Sequence, residues 1–258
     1  MLTLDEITKQ YPAHIHAFKR GMLREYLQYK ILESVFRSEY GEKLSFLGGT
    51  ALRLIYGNER FSEDIDFDNF ELSFEEFNAL TMVVKRSLEL EGYAVEIRSV
   101  HKNAYRCYVR LPDVLFDNKL SALKEEKILI QIDSLSHGFF YAPDKKILDA
   151  FGVFGEINVT PIDILLSQKI YAIFQRETKK GRDFFDTTFL LAKTKPNYDY
   201  LQEKLGIKTP QELRQRLLDL CGKLDFDALA RDVEKFLFFP KDVRRIQLFE
   251  KYIRNVKL

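Results

Sequence analysis

Two short stretches hold the residue types and spacings that chemistry on a triphosphate needs. Phe46-Leu47-Gly48-Gly49-Thr50 reads as a strand, a glycine turn and a helix start, and Ser62-Glu63-Asp64-Ile65-Asp66-Phe67-Asp68 reads as a strand with acids two residues apart. Glycine has no Cβ, so backbone N–H groups at Gly48 and Gly49 can approach phosphate oxygens. A helix opened by Thr50 adds the positive end of its dipole. Residues i and i+2 share a strand face, which points Asp64 and Asp66 the same way. Two carboxylates so placed can hold Mg²⁺ against a triphosphate. Apolar Ile65 and Phe67 alternate with them, so one face packs inward while the other carries charge. Asp68 shares the acidic face near the expected strand end. Gly-Gly or Asp-x-Asp alone marks many ordinary turns. The informative feature is their combination, separated by enough chain for one helix and a return.

Further along, Asp133 ends an alternating strand, Ile128–Asp133, with Gln131 on the same face. A third carboxylate there could take a proton from an attacking hydroxyl or complete a metal site; Glu96 competes for that role, and a plain strand-end acid is the bland alternative. Lys169 and Arg176 lie two turns apart in the helical pattern that follows Pro161. Aligned on one side, they could bind the β- and γ-phosphates and stabilise a pyrophosphate leaving group, or simply snorkel at the surface. Asp183 and Asp186 share one face of the next helix, where acids also serve as dipole partners. Arg60 reads by default as an exposed turn arginine with phosphate in reach. Ser62 could bond a phosphate oxygen or cap the turn.

Gly48-Gly49-Thr50-Ala51-Leu52, then Gly57, Arg60, Ser62, Asp64, Asp66 and Phe67, resemble the signature of the AbiEii/AbiGii-type nucleotidyltransferases, within the polymerase-β-like superfamily. Lys169, Ala172, Arg176, Arg182, Asp183 and Asp186 resemble the same family's Lys-x-x-Ala-x-x-x-Arg and Arg-Asp-x-x-Asp elements. The resemblance frames roughly residues 35 to 195. It implies a nucleotidyltransferase acting as the toxin of a type IV toxin–antitoxin pair, with Asp64 and Asp66 as metal ligands and catalytic acids. Gly48, Gly49, Thr50, Ser62, Lys169 and Arg176 would bind nucleotide. Asp183, the stronger candidate of its pair, would orient Lys169 or serve as a second catalytic group. The cofactor expected is Mg²⁺ or Mn²⁺, with an NTP as substrate. The acceptor implied is the tRNA 3′ end. A cognate antitoxin would be encoded nearby and need not bind directly. Neither a membrane nor DNA is an expected partner. Rival readings keep the site but change its use: nucleotidylation of a protein or small-molecule hydroxyl, or a non-catalytic NTP- or RNA-binding regulator.

Composition agrees with a globular enzyme. The chain has 258 residues, 46% hydrophobic and 31% charged, enough for a substantial core and two subdomains. No apolar run is long enough to span a bilayer, and no signal-peptide pattern is seen. Cys107 and Cys221 stand far apart without zinc-ligand spacing, as expected of a reduced, cytoplasmic setting. The net charge of +1 hides an asymmetry: residues 161–258 hold 20 Lys/Arg against 14 Asp/Glu, leaving 20 against 25 in residues 1–160. An acidic half with metal ligands beside a basic half suits an enzyme that gathers a cation and a polyanion. Basic clusters such as Lys179-Lys180 and Arg244-Arg245 interleave with Phe236, Phe238, Phe239, Phe249 and Tyr252, which could stack bases but more often form core.

These features need particular elements to position them. Helical periodicity covers 12–39; a short strand is expected at 44–47, a helix at 50–56 and the acidic strand at 63–68. Ser73 with Glu76 forms a capping box for a helix that Gly92 stops. Strands follow near 93–99, 105–111 and 127–134. Pro161 opens a helix at its first position, and the remainder is helical, with starts at Gly181 and Pro210. The expected layout is α+β: a mixed-sheet nucleotidyltransferase core flanked by helices over 1–160, then a helical lobe over 161–258 that completes the active site and binds the acceptor.

Overall fold

The computed structural model describes residues 1–258. The protein is α+β and divides into two compact units. The first comprises residues 1–57 and 61–160, and the second residues 161–258 together with 58–60.

The first unit is built on seven strands: β1 (Leu44–Leu47), β2 (Ile65–Asn69), β3 (Glu96–His101), β4 (Tyr105–Leu111), β5 (Ile128–Leu135), β6 (Asp144–Ala150) and β7 (Val153–Val159). Their order in the sheet is β3-β4-β5-β2-β1-β7-β6. β2 pairs parallel with β5 and β1 parallel with β7, while the other neighbours are antiparallel. Side-chain parity decides which face is covered. Ile65, Ile132 and Cys107 form one buried row across β2, β5 and β4, and the next row, Asp66, Asp133 and Arg106, is only partly buried. The helices Lys19–Phe36 and Phe74–Leu90 pack on this unit's strands. The second begins at the capping box of Ser73 and Glu76 and ends before Gly92, whose φ is +94°.

The β6–β7 hairpin is absent from the sequence reading, which names no element between 134 and 160. β6 is an edge strand whose Asp144, Lys145 and Lys146 give it no apolar alternation. Its turn, Phe151-Gly152, has left-handed backbone at both residues, the geometry of a tight hairpin. The acidic strand also differs. It begins at Ile65 rather than Glu63 and runs on through Asn69. Pro161 sits at the N-cap of its helix, one position before the expected one.

The second unit is helical, with Ile162–Gln175, Gly181–Leu191, Tyr198–Leu205, Pro210–Cys221 and Phe226–Glu234 followed by shorter turns. Phe184, Phe226 and Phe249 meet ring to ring, with Phe184 and Phe249 centroids 5.0 Å apart. Phe249 and Phe238 are buried, so these two aromatics are core and not stacking platforms. Residues 58–60 join this unit by backbone pairing: Arg60 bridges Leu237, and the Phe238 N–H donates to the Glu59 carbonyl at 3.1 Å. Both cysteines are free and buried, and burial pushes each thiol up to about 11, so neither is a nucleophile near neutral pH. No helix is long and apolar enough to cross a membrane.

Candidate active site

The glycine turn and the acids do meet. Leu47 is the register partner of Asp66, so β1 delivers the turn beside that acid. Gly48 has φ +80°, and a Cβ built there would lie 2.2 Å from Asp66 Oδ2. Only glycine can occupy this position, on both conformational and steric grounds. Backbone and carboxylate are therefore in direct contact, with no side chain between them.

Asp64 lies one residue before β2, not within it. Its place is fixed through the backbone. The Thr50 hydroxyl donates to the Asp64 carbonyl, and Thr50 is fully buried. The structure thus gives this hydroxyl a structural partner, where the sequence reading assigns it to nucleotide. The helix that contains it begins at Gly48 and is only seven residues long, so its dipole is modest. Gln28, itself buried, donates its amide to the carbonyls of Ser62 and Glu63 at 3.1 and 3.0 Å. Arg24 pairs with Glu63 at 2.6 Å. Ser62, half-buried, is thereby held just before the acids. Sequence reasoning missed Gln28, which looks like any polar residue of an amphipathic helix.

Asp133 is the register partner of Asp66 across the parallel β2–β5 pair, and the two side chains share a face. Its carboxylate is already engaged. Arg106, the register partner of Asp133 on β4, donates from Nε and Nη2 at 2.8 and 3.0 Å, and Gln131 adds its amide at 3.0 Å. Glu96 lies elsewhere: it is on the outermost strand, opposite Arg110, and pairs with Lys127 at 2.7 Å. Asp68, the second acid of β2, is buried. It accepts from the His137 N–H and the Tyr141 hydroxyl, both at 2.9 Å, and Tyr141 in turn meets Thr160. Burial, with the Asp68 carboxylate beside it, pushes the Tyr141 hydroxyl up, so it remains a donor. Asp68 is a structural acid.

The residues present fit a hard divalent cation. Asp66 sets its carboxylate against the Gly48 turn, and Asp64, two residues earlier and like it only partly buried, is a second oxygen donor. No group of three His, Cys, Asp or Glu side chains gathers as a metal cluster. A cation there would need further oxygens from a substrate, the usual situation of Mg²⁺, which binds through one or two carboxylates plus phosphates.

In the second unit Arg60, Lys169, Arg176, Asp183 and Asp186 form one network, whose two carboxylates are buried and whose Arg176 is exposed. Lys169 Nζ lies 2.9 Å from Asp186 Oδ2 and 3.8 Å from Asp183 Oδ1. Arg60 grips both oxygens of Asp186, and Asn58 donates to it at 2.9 Å. Arg60 is therefore no exposed turn residue: it is 2% exposed. Burial alone would push the Asp186 carboxyl up; Arg60 and Lys169 override this and hold it well below the usual carboxylate range. Arg176 does not continue the helix of Lys169. It is the extended C-cap, and its Nε lies 2.9 Å from Asp183 Oδ2. Neither cation reaches Asp183 with hydrogen-bond geometry despite these distances, so charge alone holds this buried carboxylate. Asp186, not Asp183, makes the close contact with Lys169.

Comparison with known proteins gives this geometry a family. A family model described as nucleotidyl transferase AbiEii toxin, type IV toxin–antitoxin system, matches residues 30–247. The fold is shared with the crystal structure of JHP933 from Helicobacter pylori, at 20% identity and a TM-score of 0.56, covering 91% of this chain and 94% of that one. A second H. pylori structure, described as a candidate nucleotidyltransferase, agrees equally in identity and TM-score, covering 93% and 98% of the two chains. No curated protein matches the chain significantly. The family match takes in both the Gly48–Asp66 block and the Lys169–Asp186 block, and the chain belongs to the AbiEii nucleotidyltransferase toxins of type IV toxin–antitoxin systems.

Proposed function

We propose that the protein transfers a nucleoside monophosphate from an NTP to the 3′-terminal hydroxyl of tRNA, using Mg²⁺, and so acts as the growth-inhibiting half of its toxin–antitoxin pair. The observation that carries this reading is the contact between the Gly48 backbone and the Asp66 carboxylate. It lets a triphosphate lie against main-chain N–H groups while its oxygens share a cation with the acids. Asp64 and Asp66 would hold that cation, and Gly48, Gly49 and Ser62 would position the triphosphate. The cation, when bound, would neutralise charge on the α-phosphate and the departing pyrophosphate. Mn²⁺ would serve in the same ligand set. In the transfer, the acceptor oxygen bonds to the α-phosphorus, the bond to pyrophosphate breaks, and the hydroxyl proton goes to a base, for which Asp133 is the candidate. Within the second unit, Lys169 and Arg176, paired with Asp186 and Asp183, are the cations that would serve phosphate groups.

The excess of Lys and Arg over Asp and Glu in residues 161–258 favours a polyanionic acceptor. Incubating the protein with Mg²⁺, total tRNA and each α-³²P-labelled NTP tests the reading, with Asp64→Ala alongside. Label should enter tRNA with one or more NTPs, vanish in the mutant and fall steeply with added salt. Label in protein instead would move the acceptor to a side-chain hydroxyl. Transfer retained by Asp64→Ala would overturn the site.

A further inference from the structure

The row that crosses the open face of the sheet reads Leu47, Asp66, Asp133, Arg106 from β1 to β4. Asp133 stands next to a proposed cation ligand on one side and is clamped by a guanidinium on the other. We propose that Arg106 is a positioning residue that withholds the Asp133 carboxylate from the cation site until a triphosphate draws the guanidinium away. The inference rests on the assignment of Asp64 and Asp66 as cation ligands.

Three features support it. The clamp is complete: both carboxylate oxygens accept from Arg106, and Gln131 takes one of them as well. The clamp is also accessible, since the Arg106 side chain is 40% exposed and that of Asp133 20%. Water and salt weaken such a pair, unlike the buried one between Arg60 and Asp186. Finally, the guanidinium fork suits phosphate as well as carboxylate, so an arriving triphosphate competes for the same donors with more charge. With Arg106 on the carboxylate, a cation finds two acids. With Arg106 on phosphate, Asp133 is released beside Asp66 as a third. Full acid provision then coincides with substrate, which keeps the site from trapping a cation unproductively.

Mn²⁺ binding without nucleotide, followed by electron paramagnetic resonance, tests this apart from catalysis. Arg106→Gln should bind Mn²⁺ at least tenfold more tightly than the wild type, and Arg106→Lys, which keeps charge but loses the fork, should fall between. Adding Asp133→Asn to Arg106→Gln should return binding to the wild-type level. Adding Asp66→Asn to Arg106→Gln should also abolish the gain. Unchanged Mn²⁺ affinity in both folded Arg106 variants would overturn the clamp while leaving the site assignment standing. A gain that survives Asp66→Asn would instead overturn the assignment of Asp66. Circular dichroism of each variant establishes that it is folded.

Discussion

The guanidinium of Arg60 closes on both carboxylate oxygens of Asp186, at 2.7 and 2.6 Å, with neither side chain more than 2% exposed. Lys169 completes the set at 2.9 Å. Removing one member of a buried ion pair leaves the other charge without compensation, which costs about 3–5 kcal/mol. Arg60→Ala is therefore expected to lower stability by that order, read as a shift in the urea midpoint at unchanged slope. Arg60→Lys should recover only part of it, because an ammonium cannot make the two-pronged contact. A loss below about 1 kcal/mol for Arg60→Ala would be the value of an exposed pair and would contradict this geometry.

The same pair sets a pH dependence. The folded carboxyl of Asp186 is held below its ordinary value, chiefly by Arg60 and Lys169 acting against burial. In the unfolded chain it returns to about 3.9. The unfolded state then binds more protons than the folded one below that value, so stability rises with pH there. The contribution is fully present above the unfolded pKa and is lost as pH falls toward the folded one. A carbon-detected NMR titration should find the Asp186 carboxyl still ionised at pH 3 in folded protein. A resonance titrating near pH 4 would show that the pair does not hold the charge.

Gly48 and Gly57 form a matched test of the site. Both have left-handed backbone, φ +80° and +74°, but a Cβ at Gly48 meets Asp66 Oδ2 while one at Gly57 meets nothing within 4 Å. Alanine at either position strains the backbone by roughly 1 kcal/mol. Only Gly48→Ala also displaces the acid. Transfer by Gly48→Ala should drop by about a hundredfold or more, in line with a misplaced catalytic group. Gly57→Ala should keep its kcat and lose only a few degrees in Tm. Equal activities would mean that contact with Asp66 is not required.

The sequence made the Gly48–Asp66 arrangement legible because it is local: a strand, a short helix and a returning strand leave little freedom in where the acids arrive. The Ser73–Glu76 cap and the alternation of Ile128, Ile130 and Ile132 were legible for the same reason. What depends on distant partners was not. Arg60 looked exposed because Asp186, its counter-charge, is 126 residues away. Arg106 carried no signal beyond its place in an alternating strand, since strand register, which brings it to Asp133, is not written in either strand alone. The β6–β7 hairpin was hidden by the charged surface of an edge strand, a common defence against unwanted pairing.

Thr50 yields the last prediction. Its hydroxyl, fully buried, donates to the Asp64 carbonyl, so it acts on the acid's backbone rather than on substrate. Thr50→Val keeps the shape but leaves that carbonyl without its donor, at a cost of about 1–3 kcal/mol. The freed Asp64 should shift, lowering kcat more than it raises KM for the NTP, because ordinary binding to the glycine turn persists. Thr50→Ser keeps the donor and should restore kcat, with a small loss of stability from the missing methyl group. The rescue by serine separates a positioning hydroxyl from a packing role, since valine preserves packing better than serine does. Steady-state kinetics on the three proteins decide it: if Thr50→Val is active and Thr50→Ser is not, volume rather than the hydrogen bond holds Asp64 in place.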